Sequence, residues 1–213
     1  MRVWQRLVLS GLLALLSPVL PACAAATDAA DRVVAGRTLS DWGRDLSSEN
    51  RFVRLRAVKT LGAFGSSATA LLIAALDDPA PGVRYWAASH LGSIGKPAAK
   101  AVPRLVALKS DTEHTGVAMA AAFALCTIKG VDGYLGFLAD QLESPERGMA
   151  CSAAEFLGRL GTAAAAAVPA LETAYKRHNR KPGQKGPSGA DYHVRGAVQN
   201  ALRKIQPGWK PES

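Results

Sequence analysis

Cysteine, histidine and aromatic residues are all scarce in this chain, and each scarcity removes a kind of chemistry. The 213 residues include three cysteines, four histidines and 6% aromatics. His90, His114, His178 and His193 make no close pair with one another or with a cysteine, so metal-ligand spacing is missing. No glycine pattern matches a phosphate-binding or dinucleotide-binding loop, and Gly65-Ser66-Ser67 reads as a turn, not a nucleophile elbow. The apolar run Leu7 to Leu20 falls short of the roughly 20 residues of a membrane-spanning helix. These absences leave no catalytic, cofactor or metal site to nominate.

What the chain has in abundance is internal repetition. Val53, Val83, Val117, Met149 and Val194 are each followed eight positions later by a leucine: Leu61, Leu91, Leu125, Leu157 and Leu202. Four residues after each start come Ala57, Ala87, Ala121, Ala153 and Val198; eleven after come Phe64, Ile94, Ile128, Leu160 and Ile205. The fifth position adds Val58, Ala88, Ala122 and Ala154, with Gln199 breaking the column. This spacing traces one face of an α-helix, and its alanines let a neighbouring helix come close. A shorter apolar run precedes each such helix: Leu39 to Leu46, Leu71 to Leu76, Val102 to Leu108, Tyr134 to Leu142 and Val168 to Tyr175. Polar, acid-bearing turns such as Asp77-Asp78-Pro79 then suit helix N-caps. Gly62, Gly92 and Gly158, with Gly65, Gly95 and Gly161 three further on, read as helix ends and turns. Each unit is helix, turn, helix, turn, and a fixed period of such units means a stack.

The segments Val53-Arg54…Ala57-Val58…Leu61-Gly62…Gly65 and Val83-Arg84-Tyr85-Trp86-Ala87-Ala88…Leu91-Gly92…Gly95 resemble HEAT repeats. Ala101-Val102-Pro103-Arg104-Leu105 and Ala167-Val168-Pro169-Ala170-Leu171 fit the first helix of such a repeat, where a proline bends the helix. The resemblance covers roughly residues 38–206. It implies an all-α fold: a right-handed α-solenoid of about five HEAT-type repeats over residues 39–206. It also implies an Asp–Arg ladder, only partly kept. Arg54, Arg84 and Arg195 hold the arginine position, near Glu49, Asp78 and Asp191, while Ala118 and Ala150 replace it in two units. Such pairs are expected on the surface, where ion pairs contribute little. The run from Gly36 to Trp42 and Val83 to Ala88 further resemble HEAT tails attached to some exported bacterial sulfatases. The resemblance is specific for fold and nearly silent on function. Iron-holding HEAT enzymes carry repeated His-Glu dipeptides, and none occurs here. A bilin-lyase-like HEAT enzyme is a distant alternative.

Residues 1–23 read as a signal peptide: Arg2 and Arg6, the apolar run, then small residues. Leu20-Pro21-Ala22-Cys23 resembles a bacterial lipobox, in which Cys23 is lipidated and becomes the mature N-terminus. Pro21 is uncommon there, and plain cleavage after Ala24 or Ala26 is the alternative. The expected address is the bacterial periplasm or cell envelope. Residues 24–38 read as a short tether and 207–213 as a tail. The formal charge of +9 falls to about +7 once Arg2 and Arg6 leave. In an exported chain this suits an acidic glycan, an anionic surface or an acidic partner more than nucleic acid. Lys176, Arg177, Arg180, Lys181 and Lys185 lie in a Gly/Pro-rich insert near 176–190, a candidate anionic-partner loop or simply a solvated one. Cys126 and Cys151 fall seven register positions apart on neighbouring helices, about 10 Å along the axis. That exceeds disulfide reach, so two free, mostly buried thiols are expected.

A recognition surface remains. HEAT stacks bind along the concave side, which the second helices form, and the candidates there are Arg56, Lys59, Tyr85, Trp86, His90 and Phe123. Aromatics beside Arg56 and Lys59 could stack on a sugar or clasp a peptide; packing of Tyr85 and Trp86 between repeats is the plainer reading. The expectation is a non-enzymatic, cofactor-free scaffold or adaptor that binds a protein partner at the envelope. A binder of acidic glycans and an accessory subunit of an exported hydrolase such as a sulfatase are the alternatives.

Overall fold

The computed structural model describes residues 32–179 and 191–211. The expected signal peptide with Cys23, and Arg180, Lys181 and Lys185 of the insert, lie outside the described residues. A hairpin of β1 (Val33–Val34) and β2 (Arg37–Thr38) leads into α1 (Leu39–Asp45) and α2 (Arg51–Leu61). Then come α3 (Thr69–Ala75), α4 (Pro81–Ile94), α5 (Val102–Lys109), α6 (Thr115–Lys129), α7 (Leu135–Asp140), α8 (Arg147–Leu160), α9 (Val168–His178) and α10 (Tyr192–Ile205). Consecutive helices pair, and the second helices α2, α4, α6, α8 and α10 each touch the next. The result is a five-unit α-solenoid.

The repeat columns are its core. Ala57, Ala87, Ala121, Ala153 and Val198 are fully buried, as are Leu61, Leu91, Leu125, Leu157 and Leu202. Truncating a buried leucine to alanine costs about 2–5 kcal/mol, so the leucine column alone accounts for much of the stack's cohesion. α6 is the extreme case. Every residue from Val117 to Cys126 is buried, so this helix is enclosed on all sides.

The glycines divide into two kinds, and only one is a turn. Gly65, Gly95 and Gly161 have φ of 60°, 71° and 58° and close the second helices, as expected. Gly62 is the C-cap of α2, as expected, and with Gly92 and Gly158, which lie inside α4 and α8, it also marks a close helix contact. A Cβ on Gly92 would meet the Phe123 ring at 2.5 Å and Ala124 Cα at 3.0 Å; one on Gly158 would meet Ala201 Cα at 3.0 Å. The prolines also differ from expectation. Pro103 and Pro169 stand in the first turn of α5 and α9, after 3-10 segments Lys96–Ala101 and Gly161–Ala167, where no helical hydrogen bond is lost. The departure from helical backbone lies inside the 3-10 segments, at Ala98 and Ala164.

The arginine ladder runs between units and is less exposed than expected. Arg54 makes a two-point contact with Asp78 of the next turn, at 2.7 and 3.1 Å, and donates to the carbonyls of Ser48 and Glu49. The Arg54 and Asp78 side chains are only 12% and 7% exposed. Arg84 repeats the pattern, donating to the carbonyls of Asp78 and Pro79 and reaching Asp111 at 3.4 Å. Asp78 and Asp111 accept from amides of their own turns, whereas true side-chain caps on second helices come from Asn50 and Asp191. Arg195 bonds Asn179, and Asp191 is taken by Arg147.

Both ends are closed by tryptophan. Trp42 is buried, donates to the carbonyl of Val34 at 3.0 Å, and lies under the guanidinium of Arg37. Residues 33–38, read as part of a tether, thus form a hairpin packed on α1. At the other end Trp209 meets Tyr175 edge-on at 5.1 Å, so the tail also folds back.

Candidate functional site

Four of the nominated residues come together on α2 and α4. The Lys59 ammonium sits 5.0 Å above the Trp86 ring. Trp86 stacks obliquely on His90 at 5.6 Å and meets Tyr85 edge-on at 5.5 Å. His90 fits only because residue 62 is glycine, since a Cβ there would come 2.2 Å from its ring. Its Nε2 is enclosed without a hydrogen-bond partner. Burial, then the nearby Arg159 charge, hold its pKa below the usual histidine value, so the ring is neutral at pH 7.

Arg56 and Phe123 do not join this group. Arg56 turns to the N-terminal end, 3.7 Å from Asp45 and over the Trp42 ring. Phe123 shares its register position with the exposed Lys59 but is buried, stacked on Phe156 at 5.0 Å. The cause is that side chains of α4 and α8 meet across α6. Tyr85 approaches Phe156, and Arg159 reaches over the Phe123 ring at 4.2 Å. Arg159 then donates to Ser89 Oγ at 2.9 Å, to the Ser89 carbonyl at 3.2 Å and to Ser93 Oγ. The middle of the second-helix face is therefore roofed. Phe156 and Arg159 were not singled out from sequence; the one available signal was an arginine in a column otherwise held by Ala63, Ser93, Thr127 and Lys204.

Two accessible parts remain, one on each side of the roof. The first is the Lys59–Trp86 platform. The second is a cleft of about 250 Å³ between α8 and α10, floored by Ala154, Gly158 and Ala201 and edged by Cys151, Glu155, Asn200 and Lys204. Of the insert's cations, Arg177 pairs with Glu143 and Lys176 is exposed at the end of α9. Among the described residues no group of three or more His, Cys, Asp or Glu could hold a metal ion.

Both thiols are free. Burial pushes the Cys126 thiol up to about 12, and raises that of the half-buried Cys151, with Asp191 adding to it. A thiol reagent is expected to modify Cys151 in the folded protein and Cys126 only on unfolding, which mass mapping of labelled peptides would read. The same shifts set a pH profile. His90 and His178 are held low, chiefly by burial, so their contribution to stability is full above about pH 6.5 and is lost as pH falls through it. Asp41, bonded by Thr38, and Asp45, bonded by Arg37, are also lowered and add a further loss below about pH 4. The raised thiols favour the fold below about pH 9 and cease to as pH rises beyond it. Thermal melts are expected to peak between about pH 6.5 and 8.5, with the alkaline loss reduced in Cys126→Ser.

A family model for HEAT repeats matches residues 44–126. No curated protein matches the chain. Among solved structures, a crystal structure of an engineered protein is similar at 21% identity and TM-score 0.48, covering 78% of each chain. A designed armadillo repeat protein in complex with the peptide (KR)4 is similar at 18% identity and TM-score 0.47, covering 79% of this chain and 82% of the other. The matched segment spans α2 to α6, and the two units that follow it continue its helix pairing and its leucine column. Residues 44–126 thus carry HEAT repeats, and the described chain as a whole is an α-solenoid built in the same way.

Proposed function

We propose that the chain is a non-enzymatic protein-binding scaffold of the bacterial cell envelope. The observation that carries this reading is the half-exposed Trp86 ring beneath Lys59, on the helix face where a solenoid receives an extended partner segment. The cleft at Glu155, Asn200 and Lys204 supplies a second contact beyond the roofed centre. Export rests on the signal-peptide pattern of residues 1–23, and anchoring on Cys23 as a lipobox cysteine.

The test is site-specific photocrosslinking in the native host from positions 59 and 200, with the adducts identified by mass spectrometry. One partner captured from both positions is expected. With that purified partner, Trp86→Ala should weaken Kd by about tenfold or more while the circular dichroism spectrum stays unchanged. Unchanged affinity in Trp86→Ala, or adducts from neither position, would remove the platform from the function. The partner's identity also decides whether it is an exported hydrolase. Intact mass of the membrane-fraction protein tests the anchor, since acylation at Cys23 adds lipid mass and ordinary cleavage does not.

A further inference from the structure

The edge of the stack where one unit passes to the next is basic. Turns inside the first four units (residues 46–50, 76–80, 110–114 and 141–146) hold Glu49, Asp77, Asp78, Asp111, Glu113, Glu143 and Glu146, and no lysine or arginine, while the fifth, residues 179–191, carries Arg180, Lys181 and Lys185 beside Asp191 in its sequence. Turns between units hold Lys96 and Lys100 against Asp132, and the ends of α6 and α10 with the segment after α10 add Lys129, Arg203, Lys204 and Lys210. All six of these cations are exposed. The arginines beside the acidic edge are tied to it, as Arg54, Arg84, Arg147 and Arg177 show.

Helix dipoles account for only part of the basic edge. Lys129, Arg203 and Lys204 close second helices, where a cation is favoured. Lys96 and Lys100 sit in the 3-10 segment that opens the first helix of the third unit, where the dipole favours an anion. Lys96 also directly follows Gly95, the C-cap of α4, whose end favours a cation, so Lys100 alone stands against the local field.

We infer that this basic edge docks on an anionic phospholipid surface. Two features select a membrane over a soluble polyanion. The described chain begins at Arg32 and enters α1 through the β1–β2 hairpin at this same edge. Only eight residues lie between Cys23 and Arg32, a reach of about 30 Å when extended, so a lipid on Cys23 would hold this edge toward the bilayer. A row of lysines and arginines near an anionic leaflet is drawn to it within a Debye length. The acidic edge then faces away, and the second-helix face stays open at the side. The basic edge stands on described residues; the choice of a membrane over a soluble polyanion rests on the proposed acylation of Cys23.

The test uses the full processed protein purified from its host and reconstituted on phosphatidylcholine vesicles with or without phosphatidylglycerol. Lysine acetylation is then mapped by mass spectrometry. Lys96, Lys100, Lys129, Lys204 and Lys210 are expected to react about threefold or more slowly on the anionic vesicles, with protection lost in high salt. Lys109, at the end of a first helix on the opposite edge, serves as an internal control and should not change. In the double variant Lys96→Glu/Lys100→Glu, protection of Lys129 and Lys204 should fall as well. Equal reactivity on both vesicle types would overturn the proposal, as would protection by soluble heparin with none by vesicles. An intact mass without lipid at Cys23 removes the anchor alone, and the same footprint on peripherally bound protein still decides the edge.

Discussion

Phe156→Ala is expected to destabilise the fold by about 3–5 kcal/mol, lowering Tm by roughly 10 °C. Phe156 is 1% exposed and is the side chain through which α8 meets both α6 and α4: it stacks on Phe123 and approaches Tyr85 at 6.0 Å. Removing the ring loses its transfer energy and leaves a void beneath Arg159, whose guanidinium lies 5.5 Å from it. Thermal and urea melts would read the loss. Hydrogen exchange should also quicken in α6, which owes its enclosure to this ring and its neighbours. Trp86→Ala is the contrasting case, because that ring is only half-buried and its truncation opens no enclosed void. A Tm change for Phe156→Ala as small as that for Trp86→Ala would mean that the roof over α6 contributes little.

The second large effect is expected at Gly92. In Gly92→Val the new side chain meets Phe123 at 2.5 and 2.6 Å and the backbone of Ala124 at 3.0 Å, so α4 and α6 must separate. The cost is expected to be about 3 kcal/mol or more, because backbone cannot move aside as a flexible side chain can. Gly136→Ala supplies the opposite sign. Gly136 lies inside α7 with open space where a Cβ would go and without positive φ. Relief of backbone entropy there is expected to add about 0.5–1 kcal/mol. Equilibrium urea unfolding of the two variants separates a glycine needed for contact from one that is not.

These residues also show what the sequence discloses and what it withholds. The period of the repeat made the helix pairs, the leucine and alanine columns and the free thiols legible, because each depends only on register within a unit. The roof over α6 depends on how steeply successive units turn. That angle comes from side-chain volumes at several contacts at once, so Phe123, in register with Lys59, read as surface and is core. Gly92 and Gly158 looked like helix ends because they lie three residues before the true turn glycines, as does Gly62, which does end α2. Their role appears only when the neighbouring helix is present. The arginine ladder was visible, but its partners lie one unit further on, within reach of a long side chain and outside the period. Lys59, Trp86, Tyr85 and His90 were found together because three of them share one helix.

The Arg159 strap changes how this stack should come apart. A solenoid whose units touch only their neighbours can lose units one at a time, with stability close to a sum of local terms. Here the fourth unit is bonded to the second across 70 residues, over the body of the third. The third unit cannot melt without severing that span, and neither flanking unit can leave without uncovering it. Units two to four are therefore expected to melt as a single block with one transition. Deleting the third unit would not shorten the stack by one module; it would remove the keystone on which its neighbours close.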